Sequence, residues 1–307
     1  MGSSLRGQRV LLTGARGFVG HHLSAALRAA GAEVHATSRS RRDHEDGVRW
    51  WQVDMESPEA ITGVIATAKP DLVYHLSGLA HGGAALALAL PTFHSLLAST
   101  VNLLTAVTAT GCRRVVLIGS LDEPIGDAAE AVPRSPYGAA KWAASAYGRM
   151  FHRLYATPVT IARVFMMYGP HQAEDKVIPQ SIRYLLDGRV PQLRSGERRL
   201  DWIFADDAVE GLLRAASAPD LEGATVEIGS GVATSVREVV TELAALVDPP
   251  IARIFDPIPD APRDPVRVAD TANAERLLGF RARIPLRDGL ARTVEWYSRL
   301  RRDRALS

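Results

Sequence analysis

The 307-residue chain is 47% hydrophobic and 23% charged, a balance that lets a globular protein bury one large core, or a large and a small one. Its formal net charge of +2 is spread along the sequence with no basic block interleaved with aromatics, so no nucleic-acid partner is expected. A lone cysteine, Cys112, excludes an internal disulfide and a thiolate metal cluster. With no signal-peptide pattern and no continuous apolar run of the ~18 residues a membrane span needs, a soluble cytoplasmic protein without metal or membrane is expected.

In chain order, short β-branched runs alternate with helical patterns. Strands are expected at Arg9–Thr13, Glu33–Ser38, Trp50–Val53, Asp71–Leu76, Val115–Ile118 and Val159–Val164. Helices are expected between them at about 18–30, 57–68, 91–110 and 137–156. This alternation builds a doubly wound parallel α/β sheet that binds ligands at the carboxyl ends of its strands. After residue 165 prolines interrupt the pattern. Three helices, at about 177–188, 235–247 and 288–300, and short strands form a smaller C-terminal α/β lobe. The large domain is then 1–165 with parts of 200–230, and the lobe is mainly 166–307.

The first strand runs into Thr13-Gly14-Ala15-Arg16-Gly17-Phe18-Val19-Gly20. Glycine at 14 permits a tight turn, at 17 it lets the backbone approach a pyrophosphate, and at 20 it lets the helix pack on the sheet. The helix N-terminus adds amide donors, so the loop is expected to hold a dinucleotide. Asp54, followed by Met55 at the end of the third strand, is placed to meet an adenine amine; alternatively it caps the helix that starts near Ser57. Leu76-Ser77-Gly78 closes the fourth strand in small residues past which a cofactor fits. The second strand ends in Ser38-Arg39, where an acid would grip a free 2′-hydroxyl. Arg39 and Arg16 instead offer guanidinium donors to a 2′-phosphate, so NADP is preferred over NAD, with a solvated arginine cluster as the alternative.

Lysine is scarce: only Lys69, Lys141 and Lys176 occur. Tyr137 and Lys141, four apart at the start of a helix, share one face. An ammonium beside a phenol favours the phenolate, toward the range where it moves a proton to or from a hydroxyl.

Together these features resemble the extended short-chain dehydrogenase/reductases, in their nucleotide-sugar epimerase/dehydratase branch. Thr13–Gly20 resembles that family's TGxxGxxG loop, Asp54 its adenine acid, His75–Gly78 its fourth-strand signature, and Tyr137 with Lys141 its YxxxK pair. Tyr168-Gly169-Pro170, Asp201–Asp207, Gly229-Ser230-Gly231, Ala269-Asp270 and Leu278-Gly279-Phe280 resemble its later landmarks. The resemblance implies a Rossmann domain, NAD or NADP as cofactor, a nucleoside-diphosphate sugar held by the C-terminal half, and a homodimer. It also marks His81, Val177, Arg199, Arg263 and Arg267 as candidate substrate contacts.

Departures from the family pattern bear on the substrate. The register set by Gly126 puts Leu121 where the family carries a Ser or Thr that meets the reacting hydroxyl. Ser120 stands one residue earlier, and neighbours on an extended segment point oppositely. Asp122-Glu123 resembles the Asp-Glu pair of the sugar 4,6-dehydratases, or is two exposed loop carboxylates. Met166, Leu200 and Leu96 replace an Asn, an Arg and a second Asn. The expected reaction is reduction of a 4-keto nucleotide-hexose, with Tyr137 giving the proton, Lys141 supporting it and Ser120 polarising the carbonyl. The alternative is a retained nicotinamide used for epimerisation, dehydration or decarboxylation, with Asp122, Glu123 and His81 as further acid/base groups; His81 is otherwise a plain loop histidine. A dinucleotide-binding protein without catalysis is the remaining alternative.

Overall fold

Runs such as Val10-Leu11-Leu12 and Val115-Val116-Leu117 are apolar at consecutive positions, which suits strands buried on both faces. The computed structural model, which describes residues 5–43, 47–124, 132–191, 196–247 and 266–306, makes them central strands. Ten strands occur among the described residues: β1 (Arg9–Thr13), β2 (Glu33–Ser38), β3 (Val48–Gln52), β4 (Leu72–His75), β5 (Arg114–Ser120), β6 (Val159–Val164), β7 (Met166–Tyr168), β8 (Arg199–Phe204), β9 (Thr225–Ile228) and β10 (Ala233–Ser235). Seven form one sheet in the order β3-β2-β1-β4-β5-β6-β9. The pairs from β3 across to β6 are parallel, as a doubly wound fold requires. The order reverses between β1 and β4, so the ends of these strands form the switch point.

The chain divides by its contacts into two units. The first comprises Met1–Val164, Val209–Glu227 and Asn273–Phe280, the second Phe165–Ala208, Ile228–Ala272 and Arg281–Ser307. In the first unit, Leu11, Val73, Val115, Leu117, Val159 and Ile161 of the sheet share a core with Ile61 and Ile65 of the Pro58–Ala68 helix. Leu103, Leu104 and Val107 of the Leu86–Thr110 helix and Phe151 of the Pro136–Tyr155 helix complete it.

The Leu86–Thr110 helix departs from expectation in two ways. It begins earlier than residue 91, because a 3-10 turn at Leu86–Leu88 leaves Pro91 in the first turn of the α-helical stretch, where its missing N–H costs nothing. Its 25 residues are also long and apolar enough, by length and composition, to cross a membrane, which the reading of continuous apolar runs missed. Its second half is nevertheless built into the core just described. Phe93–Ala98 is wound as a π-helix, a form that gathers at functional sites.

The second unit holds a small sheet in the order β10-β8-β7, antiparallel between β8 and β10 and parallel between β7 and β8. Asp201 on β8, wholly buried, accepts from the amide and hydroxyl of Ser230 at 2.7 and 2.6 Å. Its other oxygen accepts from the amides of Gly231 and Ala269, both at 2.9 Å. Asp207 accepts from the amides of Arg283 and Ile284 at 2.9 and 2.8 Å. These landmark acids therefore tie chain segments together. Strand β9 and the helices Ala205–Ser217 and Thr271–Leu278 were not anticipated.

Candidate active site

Strand β1 delivers the chain to Gly14, whose φ of +69° lies in the region that only glycine enters freely. A Cβ at Gly14 would sit 2.8 Å from backbone atoms of Leu76 and Ser77, and one at Gly20 would sit 2.3 Å from the Gly14 carbonyl oxygen. The loop therefore packs backbone on backbone. The Phe18–Ala29 helix starts at Gly17 with no side-chain cap and no acid in its first turn, leaving its first amides and its dipole for an anion.

Beside this loop lies a cavity of about 740 Å³, an ordinary size for a small-molecule site. Of the predicted cofactor residues, Gly14, Arg16, Gly17, Ser38, Arg39, Asp54, Met55, Ser77 and Gly78 line it. Phe18, Val19, Gly20, Leu76, Tyr137 and Lys141, also expected at the cofactor, do not; Gly20 packs behind the loop and the Leu76 amide bonds Thr13. Thr37, Ser40, Glu56, Pro91 and Ser95 line it too and were not foreseen. Ser95 is there because its hydroxyl takes the Leu79 amide at 3.2 Å, a link between segments that no local pattern reveals. Asp54 does not cap the next helix. Ser57 does, accepting from the Ala60 amide, while Asp54 accepts from the Glu56 amide at 3.0 Å. A sugar–phosphate chain fits this donor set: a glycine cradle, free helix amides, two guanidinium groups and small hydroxyls.

His75, buried at the end of β4, is tied to the glycine loop through Thr13. Thr13 Oγ1 accepts the amides of Leu76 and Ser77 at 3.1 and 3.2 Å and lies 2.9 Å from His75 Nδ1. Its own proton is thus left for His75 Nδ1. The other ring nitrogen lies 3.0 Å from Thr100 Oγ1, whose proton goes to the Leu96 carbonyl, so His75 carries its hydrogen on Nε2. Burial, and then the Lys141 charge, push its pKa down to about 3.

Strand β5 and the Pro136–Tyr155 helix supply the chemistry. Ser135 caps that helix, and Pro136 opens it. Tyr137 hydrogen-bonds Ser120, and Lys141 Nζ donates to the Ile118 carbonyl at 2.8 Å. Ser120, not Leu121, is thus the hydroxyl at the tyrosine. The alternation argument fails because β5 ends at Ser120 and the chain turns, with the Asp122 amide donating to Ser120 Oγ at 3.1 Å. Burial pushes Tyr137 up to about 12, and Asp122 and Glu123 add to this, while burial lowers Lys141 to about 8. The phenolate expected from the ammonium alone is therefore not favoured here, since desolvation outweighs it.

Asp122 is exposed, whereas the Glu123 side chain is fully buried against Arg163. His81 is an exposed loop residue whose Nδ1 accepts the Gly83 amide, and it does not line the cavity. In the second unit, Val177 opens the Val177–Leu186 helix, and Arg199 already pairs with Glu238 at 3.3 Å and the Ala233 carbonyl at 2.7 Å. Arg267 stacks over the Phe165 ring at 5.4 Å. Arg263 and Gly126 lie outside the described residues.

Residues 10–229 match the profile of the NAD-dependent epimerase/dehydratase family. The chain belongs to that family. Among relatives, it is 29% identical to a UDP-glucose 4-epimerase of Mycolicibacterium smegmatis, over 94% of this chain and 98% of that one. It is equally 29% identical to a dTDP-glucose 4,6-dehydratase of Streptomyces antibioticus, over 94% and 92%. An epimerase structure from Methanothermobacter thermautotrophicus superposes with a TM-score of 0.83 at 26% identity, covering 99% of this chain and 96% of that one. The NAD complex of a Thermus thermophilus UDP-glucose 4-epimerase shares the fold, with a TM-score of 0.81 at 23% identity over 94% and 99%. As a member of this NAD-dependent epimerase/dehydratase family the chain is an enzyme of the extended short-chain dehydrogenase/reductase type.

Proposed function

We propose that the chain reduces the 4-keto group of a nucleoside-diphosphate hexose with NADPH. The observation that carries this reading is the Ser120–Tyr137–Lys141 cluster, in which Tyr137 is held as the protonated phenol. A phenol at that position is a proton donor, and carbonyl reduction consumes a proton. The Ser120 hydroxyl is the second hydrogen-bond partner for the carbonyl oxygen. Lys141 keeps an ammonium one helical turn from Tyr137. The dinucleotide, when bound, supplies the hydride; Gly14, Gly17 and the first amides of the Phe18–Ala29 helix would hold its phosphates. Ser38, Arg39, Ser40 and Arg16 on the cavity wall would take a 2′-phosphate, which is the support for NADPH.

A second reading, 4-epimerisation with retained NAD, is favoured by the end-to-end likeness to a UDP-glucose 4-epimerase. Denaturing the purified protein and identifying the released dinucleotide separates the two. Stoichiometric NAD would sink the reductase reading. An empty protein that binds NADPH more tightly than NADH supports it.

The enzyme is further proposed to be a cytoplasmic homodimer. Support comes from apolar side chains left bare on two helices, Leu86, Leu90 and Phe93 on one and Leu154 and Tyr155 on the other. Sedimentation at micromolar concentration tests it, and a monomer would refute it.

A further inference from the structure

Glu123 follows β5, and its carboxylate is wholly enclosed. Oε1 accepts the Ser120 amide at 2.7 Å, and Oε2 accepts Arg163 Nη2 at 3.0 Å from the adjacent strand β6. Arg163 also donates to Glu227 at 3.0 Å through Nη1. The space for the carboxylate exists because residue 119 is glycine: a Cβ there would lie 2.7 Å from Glu123 Oε1 and 3.3 Å from the Arg163 Cα. A buried carboxylate persists only when paired, and this one has both oxygens committed. A general acid or base must instead reach the proton it moves.

We propose that Glu123, locked by Arg163, is a positioning residue and resident counter-charge for the Ser120–Tyr137–Lys141 cluster, and not an acid or base that touches the sugar. Through the Ser120 amide it fixes where β5 ends and so where the Ser120 hydroxyl points. Its charge reaches both titrating partners: it favours the Lys141 ammonium and disfavours the Tyr137 phenolate. The other charged or titratable groups facing that pair are Asp122 from the same turn, neutral His75 from β4, and Arg163 behind Glu123. One consequence is that Glu123 is not the base for proton abstraction at C5, the step a 4,6-dehydratase needs.

The proposal rests on the reading of Tyr137 as the proton-transfer group, but its test does not need turnover. With only three lysines in the chain, 13Cε-lysine labelling gives three resonances, and Lys141→Arg assigns the one of interest. The midpoint of Lys141 is expected near 8 in the unaltered protein, and about one unit lower in Glu123→Gln. Glu123→Asp keeps the charge and should hold the midpoint within a few tenths, while hydrogen exchange at the Ser120 amide speeds up about tenfold in both variants. A purely structural role would move both readouts together in both variants. An unchanged Lys141 midpoint in folded Glu123→Gln overturns the proposal. Should that variant fail to fold, the unaltered protein still decides. Its Lys141 midpoint should not move between about 0.05 and about 0.5 M salt, since a buried counter-charge is poorly screened; a salt-dependent midpoint overturns the proposal. Finally, dTDP-glucose and UDP-glucose are incubated with enzyme in D2O. Deuterium entering C5 with the unaltered enzyme but not with Glu123→Gln would make Glu123 a base and overturn the proposal, whereas loss of turnover in Tyr137→Phe bears only on the function.

Discussion

Acidification from pH 7 to pH 5 should weaken this protein through His75 by an amount that the structure sets. The ring is fully buried between two threonine hydroxyls, with one nitrogen already receiving a proton in a hydrogen bond, so an imidazolium has nowhere to donate. Its folded pKa is about 3, against an ordinary value near 6.5 in the unfolded chain. Below 6.5 the unfolded chain therefore binds a proton that the folded one refuses, and stability falls as pH drops toward 3. Between pH 7 and pH 5 the difference amounts to about 1.4 pH units of linkage, or about 2 kcal/mol. Urea unfolding of the parent and of His75→Asn at both pH values isolates it, because the other carboxylates and histidines cancel in the comparison. The variant is less stable throughout but should lose about 2 kcal/mol less on acidification. Equal losses in the two proteins would refute the claim that His75 is held neutral.

Three more outcomes are expected. Lys141→Met removes an ammonium whose pKa burial has lowered to about 8, so at pH 7 it should stabilise the fold. The shift sets a ceiling of about 3 kcal/mol; partial exposure and the orphaned Ile118 carbonyl reduce this to about 1 kcal/mol. The gain fades as pH rises through 8 toward 10.5, which thermal unfolding at two pH values checks, while turnover is lost. Gly14→Ala puts a methyl into backbone at 2.8 Å on a left-handed residue, and calorimetry should show dinucleotide affinity down by about 100-fold or more. Arg39→Ala should weaken NADPH binding by about 10- to 100-fold while leaving NADH within about twofold; equal losses would remove the case for a 2′-phosphate contact.

The parts of the fold that were legible are those written locally. β1, β2 and β6 fall where short β-branched runs place them, and the Pro136–Tyr155 helix starts where Ser135-Pro136 signals it. The Ala205–Ser217 helix was not legible because its first turn, Ala205-Asp206-Asp207, had been absorbed into a motif, and because the chain passes from one unit to the other within it. In the site, the glycine spacing and the Tyr137–Lys141 pair sufficed, since their chemistry depends on residues a few positions apart. Ser120 was legible as the hydroxyl of the site, and only the alternation argument against it fails, because it carried a strand rule one residue past the end of β5. Arg163 was missed altogether, since its partner Glu123 lies 40 residues away and only the adjacency of β5 and β6 joins them.

Asp201 has a consequence for how this part of the chain holds together. Its carboxylate holds the Ser230-Gly231 turn on one side and Ala269 on the other. Just after Gly231 the chain lays β10 against β8, with Ala233 opposite Asp201, and then buries Val239, Val240 and Leu243. A single carboxylate therefore holds both the approach to this packed segment and Ala269. Its removal would leave the amides of Ser230, Gly231 and Ala269 without their acceptor at one stroke.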